Sequence, residues 1–212
     1  MKCNVVSRCS YQGLNLPGWD LKDKNHFLTY KRLHLFQDMI NSLKNQTVKD
    51  FKLSVITGSN EECLSKIKGL DFEGLNVEFI PSIKDLEIAE IQIQMDSDDQ
   101  AGSDWVKHVI DTAKSSELDT FLINYIPLKK RYSDGELYNC YAKYGDNYPS
   151  MFTCIVQKKE KKFPAYFITH TKWKTLISNI INIEPGLVFL VVHGENVLTD
   201  IQEGKDKLYY EG

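Results

Sequence analysis

The sequence predicts an α/β protein whose mostly parallel, twisted sheet is flanked by helices. Strand-like and helix-like segments alternate over the first 126 residues. Apolar residues recur with a period of two in the first kind of segment and of about 3.6 in the second. This alternation favours a parallel sheet, because a helix carries the chain back to the start of the next strand.

Each element is predicted from its own pattern. Ile40 and Leu43 lie on one helical face, and Trp105, Val109 and Ala113 lie on another. Alternating apolar residues indicate the strands at 51–57 and 89–95, and a continuous apolar run indicates the buried strand at 186–192. The predicted strands cover 4–7, 51–57, 75–80, 89–95, 118–126 and 186–192, and the predicted helices cover 27–44, 61–68, 105–113 and 172–179.

The chain changes character after residue 126. The following segment is rich in tyrosine, and Asp134-Gly135 predicts a hairpin turn. No repeat, low-complexity stretch or linker divides the sequence. We therefore expect one domain over 1–212, with a first half at 1–126 and a smaller mixed half at 127–212. This domain could have been taken from a longer protein.

Composition excludes several classes of function. There are 26 Lys and Arg against 29 Asp and Glu, a net charge of −3, which argues against general attraction to nucleic acid or to anionic membranes. No run approaches the roughly 20 apolar residues of a membrane span, and the N-terminus lacks the apolar core of a signal peptide. We expect a cytoplasmic protein, in the host cell if it is viral. Five cysteines without CxxC spacing indicate buried thiols.

The most informative stretch is IQIQMDSDD, residues 91–99, in which an alternating strand ends in Asp96, Asp98 and Asp99. Carboxylates this close repel one another unless water screens them or a cation lies among them. Ligands of parallel α/β sheets bind at the carboxyl ends of strands. The position of the run favours a cation, with a solvated turn as the alternative.

Other acidic motifs match this run poorly. A calcium EF-hand loop that started at Asp96 would require Gly and Glu where the chain has Ala101 and Lys107. The aspartyl nucleophile of phosphatase-like folds is expected on the first strand. The Asp-x-Asp of nucleotide-sugar transferases fits better, because a bound Mn²⁺ or Mg²⁺ joins carboxylates to a diphosphate.

Six segments carry a resemblance to a known family. They are SRCSYQG, YKRLHLFQDMINSLKNQTVKDFKLSVITG, IQIQMDSDD, SMFTCIVQ, THTKW and FLVVHGEN. Their order and spacing, from residue 4 to about 200, resemble those of rhamnosyltransferase-like GT-A glycosyltransferases, some of which glycosylate viral capsid proteins. The resemblance implies Mn²⁺- or Mg²⁺-dependent transfer of a hexose or deoxyhexose to a glycan hydroxyl. Rhamnose is the first expectation for the sugar and a UDP-sugar for the donor, which the 1–126 half would bind.

The resemblance also implies residues that bind the donor. Ser7 and Arg8 stand where the family has a Thr-Arg or Ser-Arg pair, and Arg32 stands at the Arg of an Arg-x-x-x-Phe pattern. Thr57 and Gly58 close the second strand, where many related transferases carry an Asp that reads the base. Because this chain has no Asp there, its base selectivity stays open, and Gly58 could simply permit the turn.

The acidic run would complete the donor site. The resemblance implies that Asp96, Ser97 and Asp98 contact the nucleotide, and that Asp96 and Asp98 bind the metal. His193, which follows the last predicted strand, is the expected third metal ligand, with His170 as the alternative. A structural role is the competing interpretation for either histidine.

The expected acceptor-side residues are less specific. Asp99 is a candidate for contact with the sugar or for support of the metal ligands, and Asp134 is a candidate base if the enzyme inverts. Asp134 could equally be only a turn residue. Aromatic side chains that could stack on a sugar, or else pack in the core, are Tyr132, Tyr138, Tyr141 and Trp173.

Two other functions remain as alternatives. A metal-dependent nucleotidyltransferase could use the same acidic strand end, but a Gly-x-Gly loop after the first strand is absent from the sequence. A non-catalytic carbohydrate-binding or capsid-associated module would bind sugar without requiring a nucleotide and a metal.

Overall fold

The computed structural model describes residues 1–9, 33–58, 61–139, 152–161, 163–165, 170–183 and 185–192, and all statements below concern these ranges. The strands are β1 Cys3–Arg8, β2 Lys52–Ile56, β3 Asn76–Ile80, β4 Ile91–Asp96, β5 Gln100–Ala101, β6 Thr120–Tyr125, β7 Leu128–Arg131, β8 Leu137–Asn139, β9 Thr153–Gln157, β10 Ile180–Ile183 and β11 Val188–Val192. The helices are α1 Leu33–Lys44, α2 Glu61–Lys68 and α3 Trp105–Ser115, with 3-10 turns at Ile83–Asp85 and His170–Thr175.

Seven strands form the main sheet in the order β10-β6-β9-β4-β1-β2-β3. β1 is parallel to both β2 and β4, β2 is parallel to β3, and β6 is parallel to β10. Only β9 runs against its neighbours, β4 and β6. The prediction of a mostly parallel α/β sheet is confirmed. From β1 the chain builds outward through β2 and β3 and then returns to place β4 on the other side of β1.

A second, four-stranded sheet has the order β5-β11-β7-β8. β11 pairs antiparallel with β5 and parallel with β7, and β7 and β8 form an antiparallel hairpin. β5 comes from the first half of the chain, whereas β9 and β10 of the main sheet come from the second half. Each sheet is therefore built from both halves.

One face of the main sheet packs against the helices. Helix α1 buries Phe36, Met39, Ile40 and Leu43 in the same core as Val5, Leu53 and Ile93 of the sheet. Trp105, Val109 and Ala113 of α3 are fully buried there, as the helical spacing predicts. Val188 and Leu190 of β11 join this core, so the second sheet packs beside the helices. The described thiols of Cys3, Cys9 and Cys154 are buried, as expected.

The opposite face is covered by the segment after β9. Gln92 donates to the Phe163 carbonyl at 2.6 Å and accepts from the Ala165 amide at 2.9 Å. Trp173 is fully buried against Leu122 and Ile155. The predicted helix at 172–179 is wrong, because a 3-10 turn ends at Thr175 and the Asn179 carbonyl then accepts from the β6 amide of Leu122. In the described part of the chain, no helix is long and apolar enough to cross a membrane.

Candidate active site

Four parallel strands end together at one edge of the main sheet. Arg8 is in register with Ile56 of β2 and with Asp96 of β4, and Ile56 is in register with Ile80 of β3. The strand order reverses between β1 and β4, so Arg8 and Asp96 lie at the topological switch point, where α/β sheets form a ligand crevice. Because side chains alternate along strands, these two in-register residues extend from the same face.

The acidic run forms a turn directly beyond β4. The Asp99 amide donates to the Asp96 carbonyl at 3.3 Å and closes the turn. Asp96 and Asp98 are half-buried, whereas Ser97 and Asp99 are 8% and 4% exposed. The turn therefore separates its carboxylates into two that reach solvent and one that is enclosed.

The enclosed carboxyl of Asp99 connects the turn to the second sheet. Its Oδ1 accepts a hydrogen bond of 3.2 Å from the Val191 amide of β11. Burial raises the pKa of Asp99 well above its ordinary value, and the nearby charges of Asp98 and Asp96 raise it further. The raised pKa favours protonation of Asp99, which would reduce the repulsion within the run. Its contacts are those of a side chain that supports the turn, and they give no support to the expected contact with the sugar.

The half-buried carboxylates of Asp96 and Asp98 suit a hard divalent cation. Among the described residues, no group of three His, Cys, Asp or Glu side chains is placed to hold a metal ion. Mg²⁺, however, usually binds proteins through one or two carboxylates and completes its shell with water and substrate phosphates. The oxygens of Asp96 and Asp98 fit that pattern. The expected third ligand, His193, lies outside the described residues, directly after the end of β11, as does the side chain of the alternative, His170.

The positions of Ser7, Thr57 and Gly58, which the sequence suggests as donor contacts, are explained by the fold without a ligand. Ser7 is fully buried between its register partners Val55 and Met95, and its hydroxyl has no hydrogen-bond partner within the described residues. The Thr57 hydroxyl donates to the Ile80 carbonyl at 3.2 Å and so ties the ends of β2 and β3 together. Gly58 has a φ of 72°, which favours glycine and accounts for this residue without a ligand.

Arg32 lies outside the described residues. Of the expected donor-binding side chains that the structure describes, Arg8 and Asp96 lie in register at the strand ends, and Ser97 and Asp98 follow Asp96 in the acidic turn. Donor binding by Ser7, Arg8, Thr57, Gly58, Asp96, Ser97 and Asp98 stays a prediction.

Asp134 belongs to the self-contained hairpin turn between β7 and β8. It accepts from the Glu136 amide at 3.0 Å and from the Arg131 guanidinium at 2.9 Å, and Gly135 follows with a φ of 77°. These two hydrogen bonds lower the pKa of Asp134. A carboxylate with a lowered pKa is a weak base, so these contacts favour the turn residue over the catalytic base.

The four candidate stacking residues separate clearly. Trp173 is completely buried and belongs to the core, which confirms that alternative. Tyr138 is 7% exposed and its hydroxyl donates to Glu136 Oε2 at 2.6 Å. Tyr141 lies outside the described residues. Tyr132 is 43% exposed, so its ring is available to a ligand.

Gln46 holds the segment that follows the acidic turn. The sequence patterns did not indicate this role. This buried side chain donates to the Gly102 carbonyl at 2.7 Å and accepts from the Val106 amide at 2.9 Å. Nearby, the Ser42 hydroxyl accepts from the Ala101 amide at 3.2 Å. The end of α1 therefore holds the segment that joins the acidic turn to α3. A glutamine just after a helix carries no periodic signal that would reveal this role.

No protein-family model matches the chain, and no curated protein matches it. Solved structures do match. TarS 1-349 of S. aureus is 14% identical, with a TM-score of 0.50 over 90% of this chain and 60% of that one. The complex of TarS 1-349 with UDP-GlcNAc is 14% identical, with a TM-score of 0.50 over 92% and 60%. HddC of Yersinia pseudotuberculosis is 16% identical, with a TM-score of 0.43 over 86% and 90%.

The similarity to TarS concerns the fold. Identities this low show a shared architecture alone, and it agrees with the central sheet and flanking helices described above. The TM-score of HddC, 0.43, is too low to support a shared fold. This chain spans about 60% of the length of TarS 1-349.

Proposed function

We propose that this chain is a metal-dependent glycosyltransferase of the GT-A type. It transfers a hexose or deoxyhexose, rhamnose being the first expectation, from a nucleoside-diphosphate sugar to a glycan hydroxyl. The observation that carries the proposal is the position of Asp96 and Asp98 beside Arg8 at the switch point of a parallel sheet. Carboxylates and a guanidinium side by side suit a ligand that consists of a cation and a diphosphate.

A UDP-sugar is the proposed donor. Two observations support it: the resemblance of the sequence to UDP-sugar-dependent transferases, and a fold shared with TarS, which has been crystallised in complex with UDP-GlcNAc. The acceptor is proposed from resemblance alone. The sequence is similar to the N-terminal transferase domain of a chlorella virus enzyme that glycosylates the major capsid protein, so a glycan on a capsid glycoprotein is the first acceptor to test.

Different residues at the end of the sheet have different roles in stabilising the leaving group. Asp96 and Asp98 would hold a divalent cation at the end of β4, and when bound it would supply positive charge that balances the nucleoside-diphosphate leaving group. Arg8 would contact phosphate oxygens from the end of β1. Asp99 holds the turn in place through the hydrogen bond that its carboxyl accepts from the Val191 amide of β11. Asp134 takes no part in this mechanism.

Thermal unfolding with UDP, GDP and dTDP, each with and without Mn²⁺, tests the proposal. A ligand at about 100 times its Kd stabilises the folded state by about 2.7 kcal/mol. Each kcal/mol raises the Tm of a protein of this size by about 2–4 °C. We expect UDP to raise the Tm by several degrees only when Mn²⁺ is present, and Asp98→Ala to abolish the shift.

Asp119→Ala is the matched control, because Asp119 is an acidic residue that precedes β6 at the opposite edge of the sheet and pairs with Lys159 at 2.6 Å. It should retain the full shift. UTP is measured in parallel, and stabilisation by UTP but not by UDP would instead favour a nucleotidyltransferase. If no nucleotide raises the Tm with or without Mn²⁺, the proposal is wrong and the acidic run is a solvated turn.

A further inference from the structure

Tyr132 is the one exposed side chain among the phenylalanines, tyrosines and tryptophans that the structure describes. It follows β7 in the hairpin turn, and 43% of it remains accessible to solvent. Large aromatic rings usually bury most of their surface, because the transfer of that surface out of water is favourable. The exposure of the Tyr132 ring therefore has either a functional cause, the binding of a ligand, or an incidental one.

The ring is held in position although it is exposed. Its hydroxyl donates to Asp38 Oδ2 of α1 at 3.3 Å, and its centroid lies 5.8 Å from the His34 ring, with the two planes tilted by 59°. Arg131 also stiffens the turn through ion pairs to Asp134 and Glu136 at 2.9 and 2.8 Å. Side-chain freedom is thus reduced before any ligand arrives, which lowers the entropic cost of binding.

The strand register places Tyr132 near the acidic turn. β11 pairs Phe189 with Gln100 of β5 and then runs toward the acidic turn, which it contacts through the hydrogen bond to Asp99. β7 runs alongside β11 and pairs Arg131 with the last β11 residue, Val192. Tyr132 therefore leaves the second sheet at the end that borders the acidic turn. Two interstrand spacings, about 10 Å in total, separate the two strand lines.

The chemistry of this group fits a sugar. A pyranose ring presents a face of C–H bonds that packs on an aromatic ring, and its hydroxyls bond to carboxylates and imidazoles. Tyr132, Asp38 and His34 offer all three groups on one surface. We infer that these residues form a subsite that binds a pyranose ring of the acceptor glycan, and this inference rests on the proposed transferase function.

Saturation-transfer NMR on the full chain tests the subsite. The probes are methyl α-L-rhamnopyranoside, methyl β-D-glucopyranoside and methyl β-D-galactopyranoside, each with UDP and Mg²⁺, since Mn²⁺ would broaden the signals. We expect saturation of ring protons of at least one glycoside. Tyr132→Ala should weaken its binding about three- to tenfold, the range of an aromatic contact, whereas Tyr132→Phe keeps the ring face and should retain most of the affinity.

Two controls separate a binding role from a structural one. Leu118→Ala removes another exposed apolar side chain, 39% exposed, just before β6 at the opposite edge of the main sheet, and should change nothing. The Tm shift with UDP and Mg²⁺ should be the same in Tyr132→Ala as in the wild type. If Tyr132→Ala does not fold, Asp38→Ala, which removes the acceptor of the tyrosine hydroxyl, takes its place and should also weaken binding.

The outcomes distinguish this inference from the proposed function. If UDP binds but no glycoside does, or if the wild type and Tyr132→Ala bind glycosides equally, the subsite is wrong while the donor site stands. If glycosides bind through Tyr132 but no nucleotide stabilises the protein, the subsite is a sugar-binding site and the transferase proposal fails.

Discussion

Two turns of this protein gather carboxylates, and their surroundings differ. In the hairpin turn, Asp134 and Glu136 both pair with Arg131, and the pKa of Asp134 is lowered. In the acidic turn after β4, Asp99 is buried beside Asp96 and Asp98, and its pKa is raised. The first turn contains its own cation. In the second turn, burial is the first cause of the raised pKa of Asp99, and the charges of Asp98 and Asp96 are the next. Our proposal adds a cation that this turn binds from outside.

Removal of a charge from the acidic turn should have the largest effect. Asp98→Asn keeps the shape of the side chain but removes half of the proposed cation site. We expect release of UDP from a UDP-sugar with Mn²⁺ to fall at least about 100-fold, which corresponds to about 2.7 kcal/mol of transition-state stabilisation. The assay should be run over a panel of UDP-sugars. A rate within threefold of the wild type would contradict the role of Asp98.

The support provided by Asp99 should appear in stability. Asp99→Ala removes the hydrogen bond that the carboxyl accepts from the Val191 amide, so we expect a loss of about 1 kcal/mol in the free energy of unfolding. Asp99→Asn retains an oxygen in place and, like the protonated acid, has no charge. It should recover most of the loss in urea denaturation. Equal stability of the Ala and Asn variants would show that the hydrogen bond is unimportant.

The two turns should respond to pH with opposite signs. The raised pKa of Asp99 means that its contribution is present at low pH and is lost as the pH rises through the folded-state value. The lowered pKa of Asp134 means that its contribution is present at neutral pH and is lost as the pH falls below the unfolded-state value. Relative to the wild type, Asp99→Asn should gain stability as the pH rises from about 4 to 7, and Asp134→Asn should lose stability as the pH rises from about 2 to 5.

This pH dependence is measured by urea denaturation in EDTA, so that no metal ion contributes. Slopes of the same sign for the two variants would contradict the contrast between the turns.

The smallest effect is expected from the hairpin turn. Because Asp134 already pairs with Arg131 and with a backbone amide, Asp134→Asn should change UDP-sugar turnover by less than about twofold. A loss of more than tenfold, with unchanged Tm, would restore Asp134 as the catalytic base.

Local patterns predicted the elements but not their arrangement. The buried face of Trp105, Val109 and Ala113 follows from helical spacing, and β4 follows from alternation that ends at Asp96. The insertion of antiparallel β9 between β4 and β6 depends on pairing between residues far apart in the chain. No local pattern encodes such pairing.

The same limit applies to the candidate site. Sequence spacing located Asp96 and Asp98 but could not show which carboxylates converge. The burial of Asp99 depends on Val191, 92 residues away, and the role of Gln46 depends on Val106, 60 residues away. Contacts of this kind appear only when the sheets are assembled. For Trp173 the sequence left sugar stacking and core packing open, and the assembled structure, in which the side chain is fully buried, shows core packing.

Calorimetric titration of UDP into the protein, with Mn²⁺ and then with EDTA, tests the central claim most directly. We predict that UDP binds only with Mn²⁺, that Asp98→Asn weakens this binding at least about 100-fold, and that Asp134→Asn binds as the wild type does. Equal binding of UDP in EDTA, or unchanged binding by Asp98→Asn, would contradict a cation-dependent donor site at the end of β4.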